Sequence, residues 1–287
     1  MRLGFNSLLI LTKKRINDIF TDITFYILCS LLLLINFIII SSYLASIGSS
    51  GIDPSVSTFM TRTFTLLEGL FGTSATIQIF SKGPLQFSFF LSSLVAILYL
   101  IILTLIKLGH EKSTGTTELY LYSPINVKIY YLSFFIENVL IYIVIEIILI
   151  TFYGISSITA NLFLDISLFL NFALLLLLFL NILAISLLLY SVVKKHFASV
   201  FILLSIITFF AVIQINAISK KEGFLQYTSL YFSNILEWVN PFSYYFQIIN
   251  HLSAQKVVIS LSYVFVSIVY SVIFILSSLI YLDRKGL

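Results

Sequence analysis

Long apolar stretches alternate with short polar ones along almost the whole chain. Six of them are long enough to cross a membrane as helices, because about 30 Å of hydrocarbon requires roughly 20 helical residues. These stretches lie at about 23–45, 86–108, 128–153, 161–192, 198–218 and 257–282. The pattern therefore predicts an all-α membrane protein with six transmembrane helices, organised as a single domain over residues 1–287.

The composition supports a membrane protein. Of the 287 residues, 60% are hydrophobic and 10% are charged, and the mean hydropathy is +1.09. A soluble domain this apolar would lack the polar surface that must cover it. The formal net charge of +4 is interpreted as a topology signal rather than as a nucleic-acid site. The single cysteine, Cys29, excludes an intramolecular disulfide and a thiolate metal cluster.

The distribution of basic residues predicts the orientation. With the amino terminus inside, eleven Lys and Arg residues lie on the inner side and five lie outside. Both termini and the polar run at 110–124 are therefore assigned to the cytoplasm of a multi-pass plasma-membrane protein. Residues 1–22 mix apolar residues with Lys13, Lys14 and Arg15, which predicts an amphipathic helix in the inner interface. A cleaved signal peptide is the alternative, but its apolar core would start too late and run too long.

Two outer segments are predicted to be re-entrant. Residues 56–80 are moderately apolar, so this piece is either re-entrant or merely extracellular. The second segment, at about 219–255, is rich in aromatic residues, as is typical of a membrane interface. Its outer re-entrant element contains Asn240, Pro241 and Tyr244, and the proline is expected to stop a helix.

The third apolar stretch contains two acidic residues, Glu137 and Glu146. Nine residues at about 100° each place them on opposite faces of a helix, so they do not form one carboxylate pair. Glu146 is expected near the outer interface and Glu137 deeper. A deep ionisable residue either lines a translocation path or anchors two helices to each other, and both interpretations of Glu137 remain open.

No catalytic or metal-binding motif is present. The chain has no Gly-rich phosphate loop ending in Gly-Lys-Ser/Thr, no His-Glu-x-x-His zinc site and no Gly-x-Ser-x-Gly elbow. Its three histidines are predicted to lie in loops on two different membrane faces, where they cannot share a metal ion. The chain is therefore not expected to be an enzyme.

The run 110–124, HEKSTGTTELYLYSP, is the most polar stretch between two long apolar ones. Ser113 or Thr114 could cap a helix that starts there, and Glu111 and Glu118 would then share one face. Pro124 prevents the helix from continuing. These features predict a short charged helix on the cytoplasmic side, and an ordinary solvated loop is the alternative.

This run resembles the signature of the membrane subunits of type-2 ATP-binding-cassette permeases. The matching residues are Glu111, Lys112, Gly115, Thr116, Glu118, Leu121 and Pro124. Thr117 and Tyr120 depart from the family, where leucine-like residues are more usual. The amino-terminal amphipathic helix, the six spans and the element at Asn240 extend the resemblance over essentially the whole chain.

The resemblance implies a permease subunit of an exporter, working as a homodimer or heterodimer with a separate ATPase subunit. ATP and Mg would bind to that partner, with no cofactor in this chain, and the run 110–124 would contact it as a coupling helix. The substrate is left open. The rival interpretation is a secondary transporter or channel that uses Glu137 and Glu146, and a third is a membrane anchor without transport activity.

Overall fold

The computed structural model describes residues 2–48, 84–114, 126–159, 167–193, 196–216, 238–253 and 255–285. Regular structure in these ranges is entirely α-helical. In chain order the helices are α1 (Arg2–Thr21), α2 (Ile23–Gly48), α3 (Pro84–Ser113), α4 (Val127–Thr159), α5 (Ser167–Val192), α6 (His196–Asn216), α7 (Pro241–Ser253) and α8 (Val257–Lys285). The predicted outer segment at 56–80 lies outside the described residues.

Within these ranges, five helices are long and apolar enough to cross a membrane. Their apolar parts are Ile23–Ser41, Leu85–Ser113, Val127–Thr159, Leu168–Val192 and Val257–Tyr281. The predicted fifth span coincides with α6, but the apolar part described there, Phe197–Phe210, is shorter. An all-α, multi-pass membrane protein is thus confirmed, and the sixth crossing stays a prediction.

The outer surface of the bundle is apolar. On α6 the side chain of Phe201 is 70% exposed, and on α8 that of Val258 is 81% exposed. So many exposed large apolar side chains would promote aggregation in water, but they are stable against lipid or another apolar surface. The exposed faces of α6 and α8 therefore support the membrane assignment.

Helix α3 lies at the centre of the bundle and packs against α2, α4, α5 and α6. It runs antiparallel to α4, because contacts join Ser88 to Tyr153 near the start of α3 and Glu111 to Tyr130 at its end. Helix α8 packs on α5 and α7, while α1 lies along α4. The end of α3 and the start of α4, which flank residues 115–125, are thus held side by side.

Helix α1 is separated from α2 by a single capping residue. The carboxylate of Asp22 accepts a hydrogen bond of 3.0 Å from the backbone N–H of Thr24, as expected of an N-cap. This backbone hydrogen bond holds the pKa of Asp22 below its usual value. Leu11 and Ile19 on α1 are buried, whereas Lys13 and Lys14 are exposed. The amino-terminal segment is therefore a separate two-sided helix, and its place in the membrane interface stays a prediction.

Helix α4 continues to Thr159, beyond the predicted end of the third span at 153. Gly154 lies within the helix, and a side chain there would meet no atom within 4 Å, so the glycine breaks no packing. The Thr159 hydroxyl donates to the Ile155 carbonyl at 3.0 Å and lies 3.3 Å from the Ser156 carbonyl. The last turn therefore partly satisfies Ser156, one of the carbonyls that a helix end leaves unpaired.

Helix α7 begins at the element predicted from Asn240 and Pro241. The Asn240 side chain accepts a hydrogen bond of 3.0 Å from the backbone N–H of Phe242, and Pro241 occupies the first helical position. Trp238 and Val239 are also helical and Asn240 is not, so one helical stretch stops before the proline, as predicted, and the next one starts at it. The thirteen residues of α7 span about 20 Å, less than the hydrocarbon thickness. Its re-entrant position stays a prediction.

Candidate functional site

Five charged or polar side chains from three helices meet where α3 ends and α4 begins. We call them the charged cluster: Arg15 from α1, Lys107 and Glu111 from α3, and Tyr130 and Glu137 from α4. Arg15 is only 6% exposed and Glu137 only 1%. Charges so deeply buried are rarely tolerated unless they are paired.

Arg15 and Glu111 form a two-pronged ion pair. Nη1 and Nη2 of Arg15 donate to Oε1 and Oε2 of Glu111 at 2.9 Å and 3.0 Å. The Tyr130 hydroxyl donates to Oε2 of the same carboxylate at 2.5 Å. Paired charge-assisted hydrogen bonds of this kind are stronger than neutral ones and fix the relative orientation of their partners.

The Arg15 guanidinium also lies on aromatic rings. Its central carbon is 3.5 Å from the centre of the Phe134 ring and 4.9 Å from that of Tyr130. An arginine over an aromatic face is stabilised by the negative potential of the ring. Arg15 therefore links α1 to both α3 and α4.

Glu137 is placed between two cations. Its Oε2 lies 4.0 Å from Nη1 of Arg15 and its Oε1 lies 3.9 Å from Nζ of Lys107. Two basic and two acidic side chains thus share the cluster, and their formal charges cancel. This arrangement favours the second of the two interpretations of Glu137, an anchor between helices.

The charged cluster connects the end of α3, where the polar run 110–124 begins, to the start of α4, which follows this run. Glu111 lies at the start of this run and Tyr130 follows its end, and the two are hydrogen-bonded to each other. Residues 110–113 continue α3, and the hydroxyls of Ser113 and Thr114 bond back to the His110 carbonyl. These hydroxyls therefore contribute to the end of α3, and a helix that starts after them stays a prediction.

The other residues of the predicted coupling helix are only partly described. Lys112 is exposed on the last turn of α3. Gly115, Thr116, Glu118 and Pro124 lie outside the described residues. The predicted contact with an ATPase is therefore neither supported nor contradicted at these four positions.

Glu146, the second intramembrane acid, has a different environment. It is completely buried, because α3 and α7 cover it. The hydroxyls of Ser93 and Tyr142 lie against its carboxyl group, and Tyr245 of α7 is close by. Its expected position near the outer interface stays a prediction.

The element at Asn240 connects helices rather than lining a cavity. The Asn240 amide donates to the Phe210 carbonyl of α6 at 3.2 Å. The Tyr244 hydroxyl donates to the Trp238 carbonyl, and its ring packs 5.8 Å from that of Tyr270 on α8. These contacts position α7, and with it Tyr245, against the centre of the bundle.

Sequence reasoning did not identify Arg15 as a functional candidate. It treated Arg15 only as one of three adjacent basic residues, with Lys13 and Lys14. Spacing could have distinguished it. Leu11, Arg15 and Ile19 recur every four residues and are all buried, whereas Lys13 and Lys14 fall on the other face. Tyr245 carried no such signal, because it reaches Glu146 only through the packing of α7.

Fold and site together define a multi-pass, all-α membrane protein with two separate acidic centres in its interior. Comparison of the chain with protein-family models, with curated proteins and with solved structures gave no match. Among the described residues, no group of three or more His, Cys, Asp or Glu side chains could hold a metal ion. The functional proposal therefore depends on the acidic centres at Glu137 and Glu146 and on the polar run 110–124.

Proposed function

We propose that the chain is the permease subunit of an ATP-binding-cassette exporter, with six membrane crossings and both termini in the cytoplasm. The observation that carries the proposal is that the end of α3 and the start of α4, on either side of residues 115–125, are connected to each other. A segment that receives force from a partner must be fixed to the helices that it moves. Arg15, Glu111 and Tyr130 provide that attachment through hydrogen bonds of 2.5–3.0 Å.

The attachment predicts how motion spreads. Because Arg15 links α1 to α3, and Tyr130 links α4 to the same carboxylate, a push on the segment displaces three helices together. Packed helices with a paired charged centre respond as a body rather than by local bending. In this proposal an ATPase subunit, which holds the ATP and Mg, closes on nucleotide binding and rotates α1, α3 and α4 as one unit.

The segment itself supplies the contact surface. Lys112 is exposed where α3 ends, and in the proposal it faces the partner together with Thr116 and Glu118. Gly115 and Pro124 set the angle of the short helix, since glycine permits a turn and proline stops a helix. Glu111, by contrast, faces inward to Arg15 and transmits the movement, which revises its expected role as a direct contact.

A second permease subunit completes the pore in this proposal. The large apolar side chains exposed on α6 and α8 can be covered by lipid or by another subunit, and they support a protein that works as a homodimer or heterodimer. The same faces would suit any oligomeric membrane protein. They add less to the proposal than the attachment at Arg15.

The test is the substitution Glu118→Arg in the full chain, produced in its own host and purified with its bound partners. We expect normal membrane insertion, an ATPase subunit that copurifies with the unmodified chain, and loss of permease-stimulated ATP turnover in the variant. Thr159→Arg is the matched control, because it adds an arginine at the exposed opposite end of α4. Full stimulated turnover in Glu118→Arg would refute the proposal.

The rival, a secondary transporter or channel, loses support at Glu137. Arg15 and Lys107 hold that carboxylate at ion-pair distance, so it is occupied by structural contacts. Copurification separates the two interpretations, because only the permease requires an ATPase. Glu146 has no such cationic partners among the described residues.

A further inference from the structure

Of the two acidic residues within α4, Glu146 is the one that the proposed coupling mechanism does not use. Its side chain is buried on the face of α4 opposite to that of Glu137. Neither carboxyl oxygen makes a hydrogen bond of regular geometry. The hydroxyls of Ser93, Tyr142 and Tyr245 are equally buried and lack such partners too. Several unpaired oxygens therefore converge on one carboxyl group.

Nothing among the described residues balances a negative charge on Glu146. The phenols of Tyr142, Tyr245 and Tyr153 are the titratable groups that act on it. Four charged residues of α1 and α3 act on Glu137 instead: Arg15, Asp18, Lys107 and Glu111. Between 167 and 192 and between 257 and 282, α5 and α8 contain no charged residue at all.

An ionised carboxylate in this position would be costly. Burial of an unpaired charge in a low-dielectric interior is unfavourable by several kcal/mol. A proton on Glu146 removes the charge and turns one carboxyl oxygen into a hydrogen-bond donor. That donor can bond to the hydroxyl of Ser93 or Tyr142, whose own protons are then free for the other oxygen.

Hydroxyl groups continue from Glu146 toward one end of the bundle. Ser92 of α3 lies against the Tyr153 hydroxyl, one turn above Ser88. Ser88 donates to Tyr153 at 3.0 Å, and Tyr153 donates to Asn36 of α2. We call this chain of hydroxyl groups the hydroxyl file. Because α3 and α4 are antiparallel, it runs toward the first residues of α3. Hydroxyls both donate and accept, so a proton can pass along them.

We propose that Glu146 is a proton-binding site inside the bundle, served by the hydroxyl file of Ser92, Tyr153 and Ser88. On uptake, an O–H bond forms at one Glu146 carboxylate oxygen, while an O–H bond of a hydronium ion that reaches the Ser88 end of the file breaks and leaves water. Release is the reverse. The site goes beyond the proposed permease function, because transport driven by ATP requires no proton, and it stands whether or not an ATPase partner exists.

The test is infrared difference spectroscopy on the full chain in lipid bilayers while the buffer pH is stepped from acidic to alkaline. We expect a protonated-carboxyl band that shifts in deuterated buffer and disappears reversibly as the pH rises. The band should be absent in Glu146→Gln and present in Glu137→Gln. Tyr153→Phe should retain the band but slow its response to a pH step, because it interrupts the hydroxyl file.

The same spectra contain the control for folding, since the amide band must stay helical in every variant. Three results would overturn the proposal. One is a spectrum in which Glu146→Gln removes no band. Another is a Glu146 band that persists unchanged at every pH, which would make the proton a fixed structural element. The third is a carboxylate band that responds to sodium or potassium ions but not to pH.

Discussion

Two acidic centres lie on opposite faces of α4, and the protein treats them in opposite ways. Glu137 is approached by Arg15 and Lys107 at 4.0 Å and 3.9 Å, so its charge is balanced by cations. Glu146 is surrounded by the hydroxyls of Ser93 and Tyr142 and by no cation in the described part of the chain. One helix therefore contains an ion-paired acid and an acid among neutral oxygens.

The difference shows how position in the bundle decides the role of a buried acid. Glu137 lies toward the end of α3 that carries Lys107 and Glu111, where Lys107 and Arg15 approach its carboxylate. Glu146 lies deep, and a lysine or arginine there would itself need to be desolvated. Neutral hydroxyl groups around Glu146 cost less desolvation energy than a buried cation would. They also leave the carboxyl group able to exchange a proton.

The largest effect is expected from Arg15→Met, which removes the cation that both Glu111 and Glu137 face. Leaving a buried carboxylate without its partner destabilises a protein by about 3–5 kcal/mol. The methionine keeps much of the apolar volume against Phe134, so the loss reports charge rather than packing. The measurement is the free energy of unfolding of the chain in detergent micelles or bilayers.

Lys13→Met is the matched control for that substitution, because it removes a positive charge from the exposed side of the same helix. Its effect should stay within about 0.5 kcal/mol, as for ordinary surface changes. Adding Glu137→Met to Arg15→Met should recover part of the loss. Equal effects of Arg15→Met and Lys13→Met would show that the charged cluster contributes nothing specific.

A smaller effect separates the two acids directly. Glu137→Gln removes the charge that balances Arg15 and Lys107, and we expect a loss of about 1–3 kcal/mol, as for a broken interaction with a charged group. Glu146→Gln replaces a protonated carboxyl with a neutral amide of similar shape, so its unfolding free energy should be unchanged within error. Both variants are measured at neutral pH by the same unfolding assay. A loss in Glu146→Gln as large as that in Glu137→Gln would break the comparison.

The sequence was sufficient for the fold class because long apolar stretches have few alternatives in a membrane. Five of the predicted spans coincide with long apolar helices. Their ends were harder to predict: α4 continues through Gly154 to Thr159, because the space around the glycine is open and local hydroxyls bond to the terminal carbonyls. Composition sets which segments are helical, but local hydrogen bonds set where they end.

The site was only partly predictable, since the relevant contacts join residues far apart in the chain. The spacing of Glu137 and Glu146 correctly placed them on opposite faces. It could not reveal that Arg15, 96 residues from Glu111 in sequence, forms the ion pair with it. Nor could it reveal that Tyr245 reaches Glu146, because this requires α7 to begin at Pro241 and pack against the bundle.

The smallest effect is expected from Thr104→Val, which serves as the neutral reference for both acids. The Thr104 hydroxyl is buried, 2.7 Å from Oδ1 of Asn138, the residue that follows Glu137 on α4. Hydrogen bonds between membrane helices are worth about 0.6 kcal/mol on average, and valine preserves the shape of threonine. Thr151→Val, whose hydroxyl bonds only within α4, is the control and should lose less. Thr104→Val could instead reduce the free energy of unfolding as much as Glu137→Gln does. In that case ordinary polar contacts would explain the stability of the bundle, and the ion pairs of the charged cluster would contribute no more than they do.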